Sequence, residues 1–144
     1  AQADGVHLGQ DDFPVSQAQA MIRPMGIKNF LIGCSTHSLD QALEAERQGA
    51  DYIGIGPVFS TPTKPDYNPV GLSLVTEVTG RVKTPHVAIG GLDASTVSRV
   101  VAAGARRVAI VRAVCGAPDI KLAAQKMKQS VNEALRRCVS SVPS

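Results

Sequence analysis

Short continuous apolar runs alternate along the chain with longer segments in which apolar residues recur every three or four positions. The runs are Val6-His7-Leu8, Phe30-Leu31-Ile32-Gly33, Tyr52-Ile53-Gly54-Ile55, His86-Val87-Ala88-Ile89 and Val108-Ala109-Ile110-Val111, and they predict five strands. The periodic segments predict helices over Ser16 to Met25, Ser38 to Gln48, Leu72 to Val78, Ser95 to Ala103 and Asp119 to Cys138. In the second of these, Leu39, Ala42, Leu43 and Ala45 share a face; in the fourth, Val97, Val100 and Val101 do. Three stretches starting at Gln2, Gly49 and Gly104 repeat one pattern of small or polar residues followed by an apolar run. In the last two, Gly-Ala follows a helical pattern. Glycine there is the expected helix stop, since it enters the left-handed region cheaply.

Strands that alternate with helices indicate a parallel sheet with crossover helices. An open dinucleotide-binding sheet would show Gly-x-Gly-x-x-Gly entering a helix. Gly54-Ile55-Gly56-Pro57 leads into a loop instead. Polar residues recur at the strand ends: Gln10 to Asp12, Ser35 to His37, Thr61 to Lys64, Gly90-Gly91 and Arg112. In a (β/α)8 TIM barrel all such ends face one mouth, and the barrel is the architecture expected here. A complete barrel takes ~250 residues and a lean one ~200; this chain has 144. The expectation is therefore a single domain over residues 1–144 that is an incomplete α/β barrel, with about five βα units present and the first three absent.

Composition sharpens this picture only in part. Apolar residues make up 44% and aromatics 3%, with no Trp, so the core must be built from Val, Ile, Leu and Ala, as parallel strands covered by helices require. The net charge of +3 is mild, and the basic residues are scattered without interleaved aromatics. A nucleic-acid partner is not expected. No apolar stretch approaches 18 residues and no charged-then-apolar leader is present, so no membrane partner and a cytoplasmic location are expected. Cys34, Cys115 and Cys138 lack metal-like or redox-like spacing; reduced thiols are expected.

Four constellations carry candidate chemistry. Gly54 to Lys64 combines glycines that admit a ligand close to the backbone with Thr61, Thr63 and Lys64, two hydroxyls and one cation. This suits a phosphate or diphosphate at a strand end, or is a plain surface loop. Asp11 and Asp12 close the first strand; such a carboxylate holds Mg2+ against substrate phosphates or serves as a turn acid ahead of a helix. After the second strand come Ser35, a donor for a phosphate oxygen, and Thr36 or Ser38, either of which can cap the next helix. His37 there is an acid–base or a ring packed on the mouth. No third group orients a Ser–His pair, which argues against a hydrolytic triad. Gly90-Gly91, followed by a helix expected near Ala94 to Ser95, and Val111-Arg112-Ala113 stand where barrels hold phosphate, in the seventh and eighth loops; a tight turn would also need the glycines.

In combination, Gly5-Val6-His7-Leu8-Gly9-Gln10-Asp11-Asp12, Gly33-Cys34-Ser35-Thr36-His37, Gly49 to Phe59, Thr61-Pro62-Thr63-Lys64, Ala88-Ile89-Gly90-Gly91 and Val108 to Val111 resemble the thiamine-phosphate synthase family, in family order across nearly the whole chain. The resemblance implies a TIM barrel. It implies a Mg2+-dependent transferase that joins hydroxymethylpyrimidine diphosphate to thiazole phosphate, giving thiamine phosphate and diphosphate. It further implies that Asp12 binds metal and that Ser35 and Lys64 hold the pyrimidine diphosphate. Thr61, Thr63, Gly91 and the backbone near Val111 and Arg112 would hold the thiazole phosphate. Two departures stand out: the family's Gln-x-x-x-Lys-type segment and its Asn-Asp pair are missing, and Arg112 occupies a position where many members carry a small hydroxyl residue. The rivals are a thiazole tautomerase of the same family working through His37, and a phosphate-binding fragment without turnover. Five open strands leave two unpaired edges; the chain is expected to join its missing portion or to self-associate.

Overall fold

The computed structural model describes residues 2–62 and 68–140, with side chains as far as 138. Five strands, β1 (Gly5–Leu8), β2 (Leu31–Thr36), β3 (Tyr52–Ile55), β4 (His86–Ile89) and β5 (Val108–Ala109), form one parallel sheet in sequential order. Between and after them lie α1 (Val15–Ile22), α2 (Leu39–Arg47), α3 (Gly71–Arg81), α4 (Val97–Ala102), α5 (Arg112–Cys115) and α6 (Ile120–Ser140), and a short 3-10 turn (Arg23–Met25) extends α1.

Sequential order has a geometric consequence. Right-handed crossovers that never reverse direction place every helix on the same face of the sheet. Register and alternation identify that face. Ile32, Cys34, Ile53, Ile55 and Ala88 point to it and are buried, in one cluster with Ala42 and Ala45 of α2, Leu74, Val75 and Val78 of α3 and Val100 of α4. The residues inaccessible to solvent are led by Ile53, Ile55, Val58, Val75, Val78, Val97 and Val100. The core is thus the β-branched and alanine core that the composition requires. The opposite face carries His7, Gly33, Ser35, Tyr52, Gly54 and Ile89. It has no helical cover among the described residues, and in a closed barrel it would be the inner wall.

Several boundaries differ from the expected ones. β2 runs on through Thr36, so Ser35 sits inside a strand and not on the loop beyond it. α3 extends to Arg81, well past the expected stop at Val78, and tolerates Gly80 in its last turn. Arg112 does not lie in a loop; it opens the four-residue α5. The helix expected near Ala94 to Ser95 begins at Val97. The two helix-stop glycines behave as expected: Gly49 has φ 83° and Gly104 φ 108°. No disulfide links Cys34, Cys115 and Cys138. No described helix is long and apolar enough to cross a membrane.

Candidate functional site at the C-terminal rim

A cavity of about 880 Å³ opens where the C-terminal ends of β2, β3, β4 and β5 meet. That size suits a metabolite. Each wall has a local cause. Ser35 and His37 come from the end of β2. The Ser35 hydroxyl lies 2.9 Å from Nε2 of His7, and its carbonyl accepts a hydrogen bond from Gln10 Nε2 at 2.5 Å, so β1 holds it from two sides. His37 is held by the Gly56 carbonyl, 2.5 Å from its Nδ1, and that acceptor makes Nδ1 the protonated nitrogen. Its backbone N–H donates to Gln41 Oε1. Ser38, not Thr36, caps α2, accepting from Gln41 N–H. Thr36 is fully buried and donates to the Gly54 carbonyl.

The β3 wall continues past the strand. Val58 N–H donates to the Ile89 carbonyl and Phe59 N–H to that of Gly90, so the chain from Pro57 runs alongside the end of β4. It is closed from behind by Val70 N–H on Pro57 O and Gly71 N–H on Val58 O. This lays Ser60 and Thr61 along the cavity. The Arg99 guanidinium sits 5.1 Å over the Phe59 ring and steadies the same segment. The two loops approach so closely that only glycine fits between them. A Cβ on Gly91 (φ 66°) would meet Phe59 Cβ at 2.7 Å and the Ser60 carbonyl oxygen at 2.8 Å.

The expected helix N-terminus after Gly90-Gly91 is replaced by a self-contained turn. Asp93 Oδ1 accepts from the N–H groups of Ser95 and Thr96 and from both hydroxyls. These donors, led by the Ser95 hydroxyl, hold the Asp93 carboxyl below its usual pKa. The N–H groups of Ser95 and Thr96, at the expected helix start, are therefore already engaged by a carboxylate, and that carboxylate lines the cavity.

Of the residues singled out from the sequence, Ser35, Thr61, Gly91, Val111 and Arg112 line one hollow, with His37 beside them. Asp12 is on the same rim, at the end of β1, but not on the cavity wall; its Oδ2 accepts the Gly9 N–H at 2.7 Å. Thr63 and Lys64 lie outside the described residues. The sequence reading missed His7, Tyr52 and Asp93. The first two sat inside strand patterns, and only the register β1–β2–β3 brings them to Ser35. The signal for Asp93 was its spacing, two and three residues ahead of Ser95 and Thr96. Among the described residues no group of three or more His, Cys, Asp or Glu is placed to hold a metal. Mg2+ keeps its waters and takes one or two carboxylates together with substrate phosphates. In donor chemistry alone, a single rim carboxylate such as Asp12 is compatible with that sparse set.

Comparison with known proteins adds an independent line. The family model described as "Thiamine monophosphate synthase" matches residues 1–114. The chain is 49% identical over 129 residues to a thiamine-phosphate synthase of Synechococcus strain CC9311, covering 90% of this chain and 35% of that protein. It is 46% identical to the thiamine-phosphate synthase of Methanocella arvoryzae, covering 92% of this chain and 61% of the other. The solved thiamine phosphate pyrophosphorylase of Pyrococcus furiosus superposes with TM-score 0.82 at 39% identity, over 92% of this chain and 61% of that one. The chain thus spans between a third and three-fifths of the length of these relatives.

Proposed function

The chain belongs to the thiamine monophosphate synthase family, and on that premise we propose that its rim is part of a site that joins hydroxymethylpyrimidine diphosphate to thiazole phosphate. The C–O bond between the pyrimidine methylene and the diphosphate breaks, its electron pair leaving on oxygen. The thiazole nitrogen lone pair forms the new C–N bond, giving thiamine phosphate and inorganic diphosphate. No protein nucleophile is required. The work left to the protein is to stabilise the departing charge and to hold the two fragments in line.

The observation that carries this reading is the convergence of Ser35, Thr61, Gly91, Val111 and Arg112 on one cavity at the strand ends. On this reading Ser35 donates to the diphosphate, and Lys64, outside the described residues, neutralises it. Thr61, Thr63, Gly91 and the chain at Val111 and Arg112 hold the thiazole phosphate. Asp12 would be the protein ligand of a Mg2+ ion, which when bound would supply positive charge to the leaving diphosphate. Losing one such charge contact costs roughly 10²–10³ in rate. The tautomerase alternative through His37 is not favoured, because the named relatives are synthases.

We also infer that these units are the later five of an eight-unit barrel acting in the cytoplasm. Five of eight is close to the 61% share of the Pyrococcus furiosus chain that is matched. On this reading the isolated chain binds but does not turn over, and it pairs with further units or with itself through the edges at β1 and β5. Calorimetric titration with thiazole phosphate tests the site: saturable binding, lost in Gly91→Val, is expected, and no binding at millimolar ligand would overturn the reading. Vigorous Mg2+-dependent synthesis by a monomer of these 144 residues would overturn the incompleteness.

A further inference from the structure

On the uncovered face, beside the cavity, three side chains from three adjacent strands form a chain of hydrogen bonds. Tyr52 OH lies 3.0 Å from His7 Nδ1, and His7 Nε2 lies 2.9 Å from Ser35 Oγ. The two rings are 5.4 Å apart and tilted by 31°. Register explains the meeting: His7, Gly33 and Tyr52 stand side by side across β1, β2 and β3. Gly33 makes it possible, for any Cβ there would fall on the Tyr52 ring, which crosses over β2 at that point to reach His7. Gly54 leaves room on the other side, where a Cβ would rest at ordinary contact, 3.5 Å from the His7 ring.

We propose that His7, set by Tyr52, is a positioning residue that makes Ser35 a hydrogen-bond donor to an anionic substrate group. The proposal rests on the reading of Ser35 as a diphosphate contact. The polarity follows from counting protons. If Ser35 gives its only proton to an anion, its oxygen can only be the acceptor in the bond to His7. His7 Nε2 must then carry hydrogen, Nδ1 is left as an acceptor, and the Tyr52 hydroxyl supplies that hydrogen bond. Every proton in the row points toward the substrate, and each bond polarises the next. Without Tyr52, the Nε2–H form loses the donor at Nδ1 that favours it, and the balance moves toward the opposite tautomer. Nε2 then takes the Ser35 proton, and the serine presents a lone pair to an anion.

The first test needs no substrate. Long-range ¹⁵N–¹H correlation on the 144-residue chain reports the tautomer of each of its three histidines. His7 is expected as the Nε2–H form. His37 and His86 serve as internal contrasts, because carbonyl acceptors at their Nδ1 atoms fix the Nδ1–H form. Tyr52→Phe should shift His7 toward Nδ1–H. A wild-type His7 in the Nδ1–H form overturns the proposal, whatever the protein's activity.

The second test is titration with inorganic diphosphate and Mg2+. His7→Leu and Ser35→Ala are each expected to weaken binding about tenfold, the scale of an orienting partner behind a direct contact. His7→Gln, which keeps a donor near the same place, should restore most of it. The double variant His7→Leu/Ser35→Ala should lose no more than either single one. Additive losses, or no rescue by glutamine, would overturn the positioning role. Failure of the wild-type chain to bind diphosphate would instead strike the reading of the site and leave the tautomer result to decide.

Discussion

The two ends of the sheet are built on opposite plans. At the N-terminal end, carboxylates are tied to the chain's own backbone. Asp51 Oδ2 accepts the Ile32 N–H at 2.7 Å. Glu46 Oε2 takes the N–H groups of Lys83 and Thr84 and the Thr84 hydroxyl, at 2.6, 2.6 and 3.0 Å. These contacts stitch α2 to the turn before β4 and leave little polar capacity for a ligand. At the C-terminal end, closeness is achieved with glycine, and side chains are left to line a cavity. Parallel α/β structures divide stability and function between their two ends in this way. Here the division shows in the types of residue used: charge locks the lower end, and absent side chains shape the upper one.

The largest expected effect tests the glycine plan. Gly90 has φ 97°, and an added Cβ would sit 2.5 Å from both Cα and Cβ of Pro57. Left-handed strain and overlap with main chain act together, so Gly90→Ala should cost about 3 kcal/mol in denaturant unfolding. It should also abolish thiazole-phosphate binding. A variant of unchanged stability would show that the upper loops are not held as closely as described.

Glu46→Ala is the matching experiment at the other end. It leaves two backbone donors and a hydroxyl without their acceptor, at a cost of about 2 kcal/mol, and ligand binding should not change. Its pH signature has a definite sign. Hydrogen bonds, led by the one from Thr84 N–H, hold the folded-state carboxyl below its ordinary value of 4.5. The unfolded chain then binds the proton more tightly, so this contribution is fully present above about pH 4.5 and fades as pH falls through the lower folded value. Acid unfolding of the wild type and of Glu46→Ala should converge there. Parallel curves would mean that Glu46 does not do this work.

The same division explains what could be read from the sequence. The strands and the buried helix faces follow from local apolar patterns; the sequential strand order and the uncovered face it leaves came from the structure. The rim positions of Ser35, Thr61, Gly91 and Arg112 follow from their place after strand patterns. Contacts between distant residues did not show. His7 meets Ser35 28 positions away and Tyr52 45 positions away, and only register fixes such pairs. The last turn of α3, Thr79-Gly80-Arg81, carries no apolar period and holds a glycine, so the pattern stopped short of it. A four-residue helix such as α5 is below the length at which periodicity exists. Asp12 was placed on the right rim, but its use of one oxygen on Gly9 N–H was not foreseen.

A smaller effect is expected at the start of α2. Ser38 Oγ accepts the Gln41 N–H at 3.2 Å, and Asp40 adds a negative charge to the same first turn. Ser38→Ala should cost about 1 kcal/mol and Ser38→Asp should cost nearly nothing. Neither should alter the cavity, since Ser38 is not on its wall. A change in ligand affinity in either variant would mean that the cap also sets the position of His37, its neighbour.

Asp93 departs from the division, as Asp12 does on the Gly9 N–H, and it sharpens the comparison most because it lines the cavity. It is a backbone-tied carboxylate of the lower-end kind placed at the upper end, on the cavity wall. Like any ordinary aspartate it is ionised at neutral pH, so the turn before α4 is stabilised by a charge that repels the anion the site is proposed to hold. Asp93→Asn separates the two roles. Asparagine caps almost as well as aspartate, so the stability loss should be about 0.5 kcal/mol or less. Removing the negative charge should tighten thiazole-phosphate binding several-fold, and the gain should shrink as salt is raised. Weaker binding in the variant would show that Asp93 contacts the ligand through a proton or an ion, and the upper end would then use charge as the lower one does.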